Sequence, residues 1–339
     1  MPTPKPRSAS NLLIGLTVSA GVVFLAVLNT MSLFAAFDWQ WDLLTHFRFQ
    51  YLAAFGVTLP GLWLLKWKKM AAVACVGLLF NAWFVVPLYL PNAEARRAAE
   101  LRADADAPAI TLLHFNVHTA NPRKQDVAAY IRSSGADIVF LQEINRVWVD
   151  AMENDLAGYE PVLLDPRSDN FGIGIWVRTG SGVEVVSTRL TDLSAGSAQV
   201  DAIDTVVRFS GCDIRLVSLH TLPPVNGVYA EARDAQLVGA AGIANDTAGP
   251  FVLIGDLNAT PWSASYRAMV RDGGLSDSLS SRGGFKGRGA SWPAGLLSLG
   301  MIPIDHCLTR GGAVVVERTL GDATGSDHRP LFVEIRLAE

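Results

Sequence analysis

The amino-acid sequence predicts an α/β protein in which two sheets are sandwiched between helical layers, preceded by a region that crosses a membrane. Two observations predict this organisation. Half of the 339 residues are hydrophobic, the mean hydropathy is +0.27, and the excess lies at the front of the chain. From about residue 109 onward, short runs rich in Val, Ile and Leu alternate with helix-like segments, as expected for strands buried on both faces.

Three apolar segments account for the front of the chain. Residues 12–37 carry no charge and are long enough to cross a bilayer. Residues 49–65 form a shorter segment, and residues 70–90 form the third. We therefore predict about three transmembrane helices within residues 1–90.

The loop charges predict an orientation for these helices. Lys5 and Arg7 precede the first segment, and Lys66, Lys68 and Lys69 separate the second from the third. Because basic residues stay on the cytoplasmic side, the N-terminus is expected in the cytoplasm, with the C-terminal part periplasmic or extracellular. With only two spans the orientation would be reversed.

A charged linker at 91–108 is predicted to separate the membrane region from a C-terminal domain at 109–339. Residues 108–339 hold 19 of the 28 Lys and Arg and 26 of the 32 Asp and Glu, a formal net charge of −7. A basic surface is usual for non-specific nucleic-acid binding, so this charge argues weakly against a long polyanion as substrate.

Cys212 and Cys307 lie in strand-like contexts, and we interpret them as buried thiols rather than a disulfide.

Polar residues stand at the ends of the predicted strands. The run Phe251–Ile254 stops at Gly255 and is followed by Asp256 and Asn258, which the alternation of a strand places on one side. Other strand ends carry acids, amides and imidazoles in the same way: Asn116, Glu143, His220, Asp327 and His328. Each alone is an ordinary turn or surface residue, but together they predict one site.

Metal-assisted phosphodiester hydrolysis is the chemistry that suits such a set. Mg²⁺ prefers one or two carboxylates plus water and substrate oxygens, and Glu143 is the natural ligand, with Asn116 and Asp327 close behind. An imidazole held by a carboxylate can accept a proton from the attacking water. Zn²⁺ is less expected, because the sequence has no CxxC pattern and the candidate ligands are rich in oxygen.

The ordered motifs resemble those of the endonuclease/exonuclease/phosphatase superfamily over about residues 109–337, and in particular its membrane-anchored bacterial branch. The motifs are Leu-Leu-His-Phe-Asn116-Val, Gln142-Glu143, His220-Thr, Gly-Asp256-Leu-Asn258, Ile-Asp305-His306 and Ser-Asp327-His328-Arg-Pro-Leu, with Trp292-Pro293 before the Ile-Asp-His strand. The resemblance implies a four-layer, DNase I-like α/β sandwich and a phosphoesterase that depends on Mg²⁺ or Mn²⁺.

The resemblance also implies roles for the site residues. Glu143, Asn116 and Asp327 would hold the metal. His328, oriented by Asp305, would be the general base or would stabilise the phosphate. Asp256 and Asn258 would orient the water and grip the phosphate, with proton handling as a further role for Asp256. His220 would donate to the phosphate or leaving group. His306 is interpreted as structural, because it points to the other face of its strand.

The substrate is left open by the resemblance. A phosphodiester in nucleic acid, a phospholipid head group and an inositol phosphate all suit one such site, and a catalytically silent, membrane-tethered binding module is a further alternative. Apart from the substrate and the lipid bilayer, no partner is predicted. Specificity is expected to lie in three loops: Pro166–Asn170, Thr221–Val228 and Arg282–Trp292, the last with basic Arg282, Lys286 and Arg288.

Overall fold

A computed structural model of the chain describes residues 9–104, 106–281 and 289–338. The chain divides into two compact units, Met1–Leu88 and Tyr89–Glu339. The α-helices of the first unit are α1 Ala9–Met31, α2 Trp39–Leu43, α3 Arg48–Leu64 and α4 Lys68–Val85. Those of the second are α5 Ala93–Ala103, α6 Lys124–Ser134, α7 Arg146–Asp155, α8 Gly227–Asp246, α9 Ala264–Asp272 and α10 Ser278–Ser281.

The strands all belong to the second unit. They are β1 Ala109–Asn116, β2 Ile138–Gln142, β3 Tyr159–Asp165, β4 Ile173–Arg178, β5 Glu184–Thr191, β6 Ala202–Phe209, β7 Cys212–Ser218, β8 Phe251–Asp256, β9 Ser276–Asp277, β10 Asp305–Arg310, β11 Ala313–Leu320 and β12 Leu331–Leu337.

The first unit is a small helical bundle built from α1, α3 and α4. Val22, Phe55, Leu62 and Ala74 form its buried core. Gly77 lets α3 and α4 approach closely, because a Cβ atom there would lie 2.5 Å from the ring of Phe55. Large apolar side chains, among them Phe24, Trp63 and Trp83, are exposed on the outside of the bundle.

The prediction of three membrane spans is corrected by the helix lengths. Among the described residues, two helical segments are long and apolar enough to cross a membrane, Ala9–Phe34 and Lys68–Ala103. The helix predicted at residues 49–65 exists as α3, but it has 17 residues. At about 1.5 Å per residue this is roughly 25 Å, less than the ~30 Å of a hydrocarbon core.

A buried cation stands at the start of α3. Arg48 is 2% exposed, and its guanidinium lies 4.8 Å from the ring centre of Phe80 and 4.6 Å from that of Phe84. It donates to Asn29 Oδ1 at 3.3 Å and to Asn81 Oδ1 at 3.4 Å. The two rings and two amides compensate part of the cost of burying this charge.

Two sheets of six described strands each form the second unit. Their orders are β11-β12-β1-β2-β4-β3 and β5-β6-β7-β8-β10-β9. In each sheet one central pair is parallel, β1 with β2 and β7 with β8. Each parallel pair brings two carboxyl ends to the same edge of its sheet, and those edges carry the polar residues singled out in the sequence.

The layers follow from where the apolar residues lie. Ile110 and Phe140 of the first sheet share one buried cluster with Ile214 and Ile254 of the second, so this cluster fills the space between the sheets. A second cluster packs α8 and α9 on the outer face of one sheet, and a third packs α6 and α7 on the other. The predicted arrangement of two sheets between helical layers is confirmed.

The segment predicted as a linker contains α5, which packs on β11. Ala98 is fully buried against Val314 and Val316. Arg336 donates to the carbonyl oxygen of Leu101 at 3.0 Å. This helix is therefore part of the second unit.

The sequence prediction failed for two neighbouring strands. The neighbouring apolar runs at residues 171–177 and 183–187 predict two paired strands. Instead, β4 pairs with β2 and β3 in the first sheet, whereas β5 pairs with β6 in the second. The prediction also missed β3, which is largely exposed or half-buried and contains Pro161 beside a break in its register. Neither feature produces a clear apolar run.

Gly255 allows the two sheets to approach each other at the site. Its φ of +153° lies in a region that favours glycine, and a Cβ atom there would lie 1.9 Å from the carbonyl oxygen of Leu219. The same Cβ would lie 2.8 Å from Nε2 of Gln142, on the opposite sheet. The sequence places glycine here because another side chain would push the sheets apart.

Candidate functional site

Strand register brings the predicted residues together. In the first sheet Asn116 lies opposite Gln142, the residue before Glu143. In the second sheet Asp256 lies opposite Asp305, because β8 and β10 are antiparallel and the end of one meets the start of the other. Gln142 joins the two sheets, since its Oε1 accepts from the backbone N–H of Asp256 at 3.1 Å.

The carboxylate of Asp305 holds two imidazoles. Its Oδ1 lies 2.8 Å from Nε2 of His114, and its Oδ2 lies 2.9 Å from Nδ1 of His328. Asp305 and His114 are fully buried and His328 is 4% exposed. Asp305 thereby holds the ring of His328 by a hydrogen bond, and His114 is an additional partner on β1.

The charges on this pair reinforce each other. Burial alone would raise the pKa of Asp305, but His328 and the hydrogen bonds from both imidazoles hold it well below its usual range. Burial alone would lower the pKa of His328, but Asp305 and Asp256 raise it to about 10. His328 is therefore an imidazolium at neutral pH, and Asp305 is its fixed counter-ion.

Asp256 and His220 lie beside this ion pair. Oδ2 of Asp256 is 3.6 Å from Nε2 of His328 and 3.7 Å from Nε2 of His220. Burial raises the pKa of Asp256 to about 7, although His328 opposes the shift. Burial, with the charges of His328 and His114, lowers the pKa of His220 to about 3, so this imidazole is neutral.

Asn258 fixes the loop that follows β8. Its backbone N–H donates to Oδ1 of Asp256 at 3.0 Å, and its side chain donates to the carbonyl oxygen of Thr221 at 2.9 Å. Its φ of +44° is left-handed, a conformation that asparagine tolerates better than most residues. Asn258 therefore ties the turn after β8 to the segment that carries His220.

Glu143, Asn116 and Asp327 gather on the other side of Asp256. Nδ2 of Asn116 donates to Oε1 of Glu143 at 2.9 Å and to Oδ2 of Asp256 at 3.3 Å. Oδ2 of Asp327 accepts from Nε1 of Trp292 at 3.0 Å. In this arrangement the amide nitrogen of Asn116, rather than its oxygen, faces Glu143.

This oxygen-rich group fits a divalent cation. Oδ1 of Asp327 is enclosed and has no hydrogen-bond partner among the described residues. A buried carboxylate oxygen without a partner is costly, and a cation shared with Glu143 would satisfy it. Glu143 also has a φ of +62°, a strained conformation of the kind that functional sites retain.

A second group of possible ligands is Asp256, Asp305 and His328, whose ligand-type atoms lie within 4.8 Å of one another. Its chemistry is less suited to a metal. Both oxygens of Asp305 already accept from imidazoles, and an imidazolium has no lone pair to give. In the described structure this group is therefore better arranged for handling protons than for holding a metal.

Sequence reasoning missed His114 and His118. His114 lies two residues before Asn116 on the same strand, so the two-residue period would have placed both on one face. His118 lies two residues after Asn116, and its Nδ1 is 3.6 Å from both Oε2 of Glu143 and Oδ1 of Asp327. Beyond the end of a strand no periodicity indicates where a side chain points.

His306 lies on the opposite face of β10, as predicted. It is fully buried, its Nε2 lies 2.9 Å from the carbonyl oxygen of Ala259, and its Nδ1 lies 3.1 Å from the hydroxyl of Tyr266. The basic residues predicted to line a specificity loop, Arg282, Lys286 and Arg288, lie outside the described residues.

Comparison with known proteins identifies a family for most of the second unit. The profile of the Endonuclease/Exonuclease/phosphatase family matches residues 113–328. No curated protein matches the chain.

Solved structures share the fold at low sequence identity. D. rerio TDP2 complexed with single strand DNA product is 18% identical, with a TM-score of 0.55 over 67% of this chain and 99% of that chain. The human Nocturnin catalytic domain with bound sulfate is 16% identical, with a TM-score of 0.53 over 68% and 96%. A Bacteroides thetaiotaomicron mannosyl-6-phosphatase is 18% identical, with a TM-score of 0.51 over 67% and 99%.

Replacing Asp305 by Asn should destabilise the protein in a pH-dependent way. The raised pKa of His328 gives stability that is complete below its unfolded value of about 6.5 and is lost as the pH rises to about 10. The lowered pKa of Asp305 gives stability that is complete above about 3.9. Denaturant titration in EDTA should show a loss of about 3 to 5 kcal/mol at pH 6 that shrinks toward pH 10.

Asp204→Asn is the matched control for this titration. Asp204 is also buried, but its partners are Arg189 and Arg215, which stay charged throughout this range. Its loss should be the same at pH 6 and pH 10. An equally constant loss for Asp305→Asn would contradict the assignment of His328 as an imidazolium.

Proposed function

Because the chain belongs to the endonuclease/exonuclease/phosphatase family, and is therefore a hydrolase of phosphoester bonds, we propose that it is a membrane-anchored phosphodiesterase that depends on a divalent metal. One observation carries this proposal. An ion-paired imidazole, a carboxylate with a raised pKa and a group of metal-type donors converge where the two sheets meet.

Glu143 and Asp327 are the residues that would hold the ion, Mg²⁺ or Mn²⁺, with Asn116 beside them. When bound there, the ion would offset the charge that develops on the phosphate and would make a bound water more acidic. The unpartnered oxygen of Asp327 supports this assignment. Trp292 fixes the other oxygen of Asp327, so that the carboxylate presents one edge to the site.

Asp256 is placed to accept the proton of the attacking water. The water oxygen forms a bond to phosphorus, the bond from phosphorus to the leaving oxygen breaks, and the water proton passes to the Asp256 carboxylate. A pKa raised to about 7 suits a general base at neutral pH. The leaving oxygen takes its proton from solvent.

His328 and His220 would stabilise the phosphate. As an imidazolium held by Asp305, His328 can donate to a non-bridging oxygen, and its geometry is set before substrate arrives. The raised pKa favours this role over that of general base, the other role considered for His328. The neutral His220 can donate a hydrogen bond without adding charge.

We also propose that the second unit lies outside the cytoplasm. Lys5 and Arg7 precede α1, and the basic cluster Lys66, Lys68 and Lys69 lies where α3 joins α4. With α1 and α4 as the two crossings, only one of these basic segments can lie in the cytoplasm. The cluster between the two helices is the larger, and keeping it inside lets α4 carry the chain outward. This reverses the predicted side of the N-terminus rather than that of the second unit.

A phospholipid head group is a second candidate substrate, and exposed apolar residues near the site favour it. The loop after Trp292 is anchored by a backbone hydrogen bond from Ala294 to the carbonyl oxygen of Asp327 at 2.6 Å. It exposes Leu296 by 55% and Leu297 by 88%. Exposed apolar side chains that adjoin a site are typical of contact with lipid or protein.

Glu143→Gln should lower phosphodiesterase activity by on the order of 10²-fold or more, because it removes one charge from the metal donors. Activity on bis(p-nitrophenyl) phosphate, single-stranded DNA, RNA and phospholipid is measured with Mg²⁺ or Mn²⁺, and EDTA should abolish it. Glu153→Gln, an exposed acid on α7, should leave activity unchanged. Equal inertness of wild type and Glu143→Gln on every substrate would instead favour a silent binding module.

A reporter fused after Glu339 tests the orientation. Alkaline phosphatase is active only outside the cytoplasm, so this fusion should be active. Green fluorescent protein does not fluoresce when it is exported unfolded by the general secretory route, so a fusion at the same position should be dark. A bright fluorescent fusion together with an inactive phosphatase fusion would place the second unit in the cytoplasm.

The double substitution of Leu296 and Leu297 by Ser tests the lipid candidate. In protein reconstituted into phospholipid vesicles, hydrolysis of the lipid should fall about tenfold or more, because each buried leucine contributes about 1.5 to 3 kcal/mol. Hydrolysis of bis(p-nitrophenyl) phosphate should be unchanged. Val186→Ser on the edge strand β5, where Val186 is 44% exposed, is the control. Equal losses on both substrates would refute an interfacial role.

A further inference from the structure

His118 points an imidazole nitrogen at the metal donors. Its Nδ1 lies 3.6 Å from Oε2 of Glu143 and 3.6 Å from Oδ1 of Asp327. The backbone N–H of His118 donates to Oδ1 of Asn116 at 3.2 Å, and its φ is +60°. This left-handed turn directs the side chain back across the end of β1.

Nδ1 of His118 lies within reach of both carboxylates without bonding to either. A separation of 3.6 Å is longer than a hydrogen bond, yet it matches the ~3 to 4 Å between two ligands of one first-row ion. The other atoms of these carboxylates are engaged: Oε1 of Glu143 accepts from Asn116, and Oδ2 of Asp327 accepts from Trp292. Oδ1 of Asp327 has no hydrogen-bond partner among the described residues.

We propose that His118 is a nitrogen ligand of the same ion as Glu143 and Asp327, and that it makes the site select Mn²⁺ over Mg²⁺. This inference rests on the proposed metal-dependent function and specifies the ion. Mg²⁺ is a hard cation that prefers oxygen, whereas imidazole binds first-row transition ions more favourably. An all-oxygen site would discriminate less between the two ions.

The burial of these groups agrees with a site that is open to solvent on one side. The side chain of His118 is 41% exposed, that of Asp327 is 47% exposed and that of Glu143 is 14% exposed. Water and a phosphate oxygen can therefore complete the coordination of the ion. The group around His328 is closed by comparison, since Asp256, Asp305 and His328 are all buried.

Pulsed electron paramagnetic resonance of bound Mn²⁺ tests this ligand directly. The full chain, purified in detergent and loaded with Mn²⁺, should show the ¹⁴N coupling of a coordinated imidazole. His118→Asp should lose this coupling, and the preference for Mn²⁺ over Mg²⁺ in competition binding should fall about tenfold. Asp tolerates positive φ, so the turn is retained, and His118→Asn serves as a second variant. His328→Asn should retain the coupling.

Retention of the ¹⁴N coupling in His118→Asp with its loss in His328→Asn would overturn the inference and move the ion to the other group. Bound Mn²⁺ that shows no ¹⁴N coupling in wild type would also overturn it. The proposed function survives in that second case if Glu143→Gln still abolishes Mn²⁺ binding. Wild type that binds neither Mn²⁺ nor Mg²⁺ would refute the proposed function together with this inference.

Discussion

The site depends on one buried carboxylate, that of Asp305. Burying a charge is costly unless it is paired and hydrogen-bonded, and Asp305 obtains both from imidazoles on either side of it. His114 comes from β1 of the first sheet, whereas Asp305 starts β10 of the second. Their hydrogen bond therefore joins the two sheets at the point where their strand ends meet. Any change in how the sheets pack would leave this charge unpaired.

The same carboxylate sets the electrostatics around it. Because Asp305 keeps His328 protonated, the neighbouring Asp256 faces a fixed cation on one side and Asn116 on the other. Asn116 stands between the two halves of the site, since its amide contacts both Asp256 and Glu143. In the proposed assignment, proton handling and metal binding belong to adjacent but separate groups of side chains, and one amide contacts both.

Much of this arrangement could be predicted from the sequence, because buried strands appear in it as continuous apolar runs. The runs that became β1, β2 and β8 are apolar and end abruptly, and the polar residues at their ends are therefore visible. Parallel pairing of β1 with β2 brings two of these ends together, and antiparallel pairing brings the start of β10 to the end of β8. The ordered motifs then identified the family, which the match over residues 113–328 confirms.

The failures have physical reasons. β4 and β5 are neighbours in the chain but belong to different sheets. No local sequence pattern indicates which of two sheets a strand joins. His114 was hidden inside an apolar run, where a polar residue is easily taken for a structural one. His118 lies past the end of a strand, in a left-handed turn. The segment predicted at 49–65 is apolar enough to cross a membrane, but its helix has too few residues. Apolar composition alone does not determine where a helix begins and ends.

The central claim is that the ion is held by Glu143 and Asp327, beside the Asp305–His328 ion pair rather than within it. Anomalous diffraction at the manganese edge, from crystals grown with Mn²⁺, tests this claim most directly. We expect a peak between Oε2 of Glu143 and Oδ1 of Asp327. A peak between Asp256 and His328, or the absence of any peak at the meeting point of the two sheets, would contradict it.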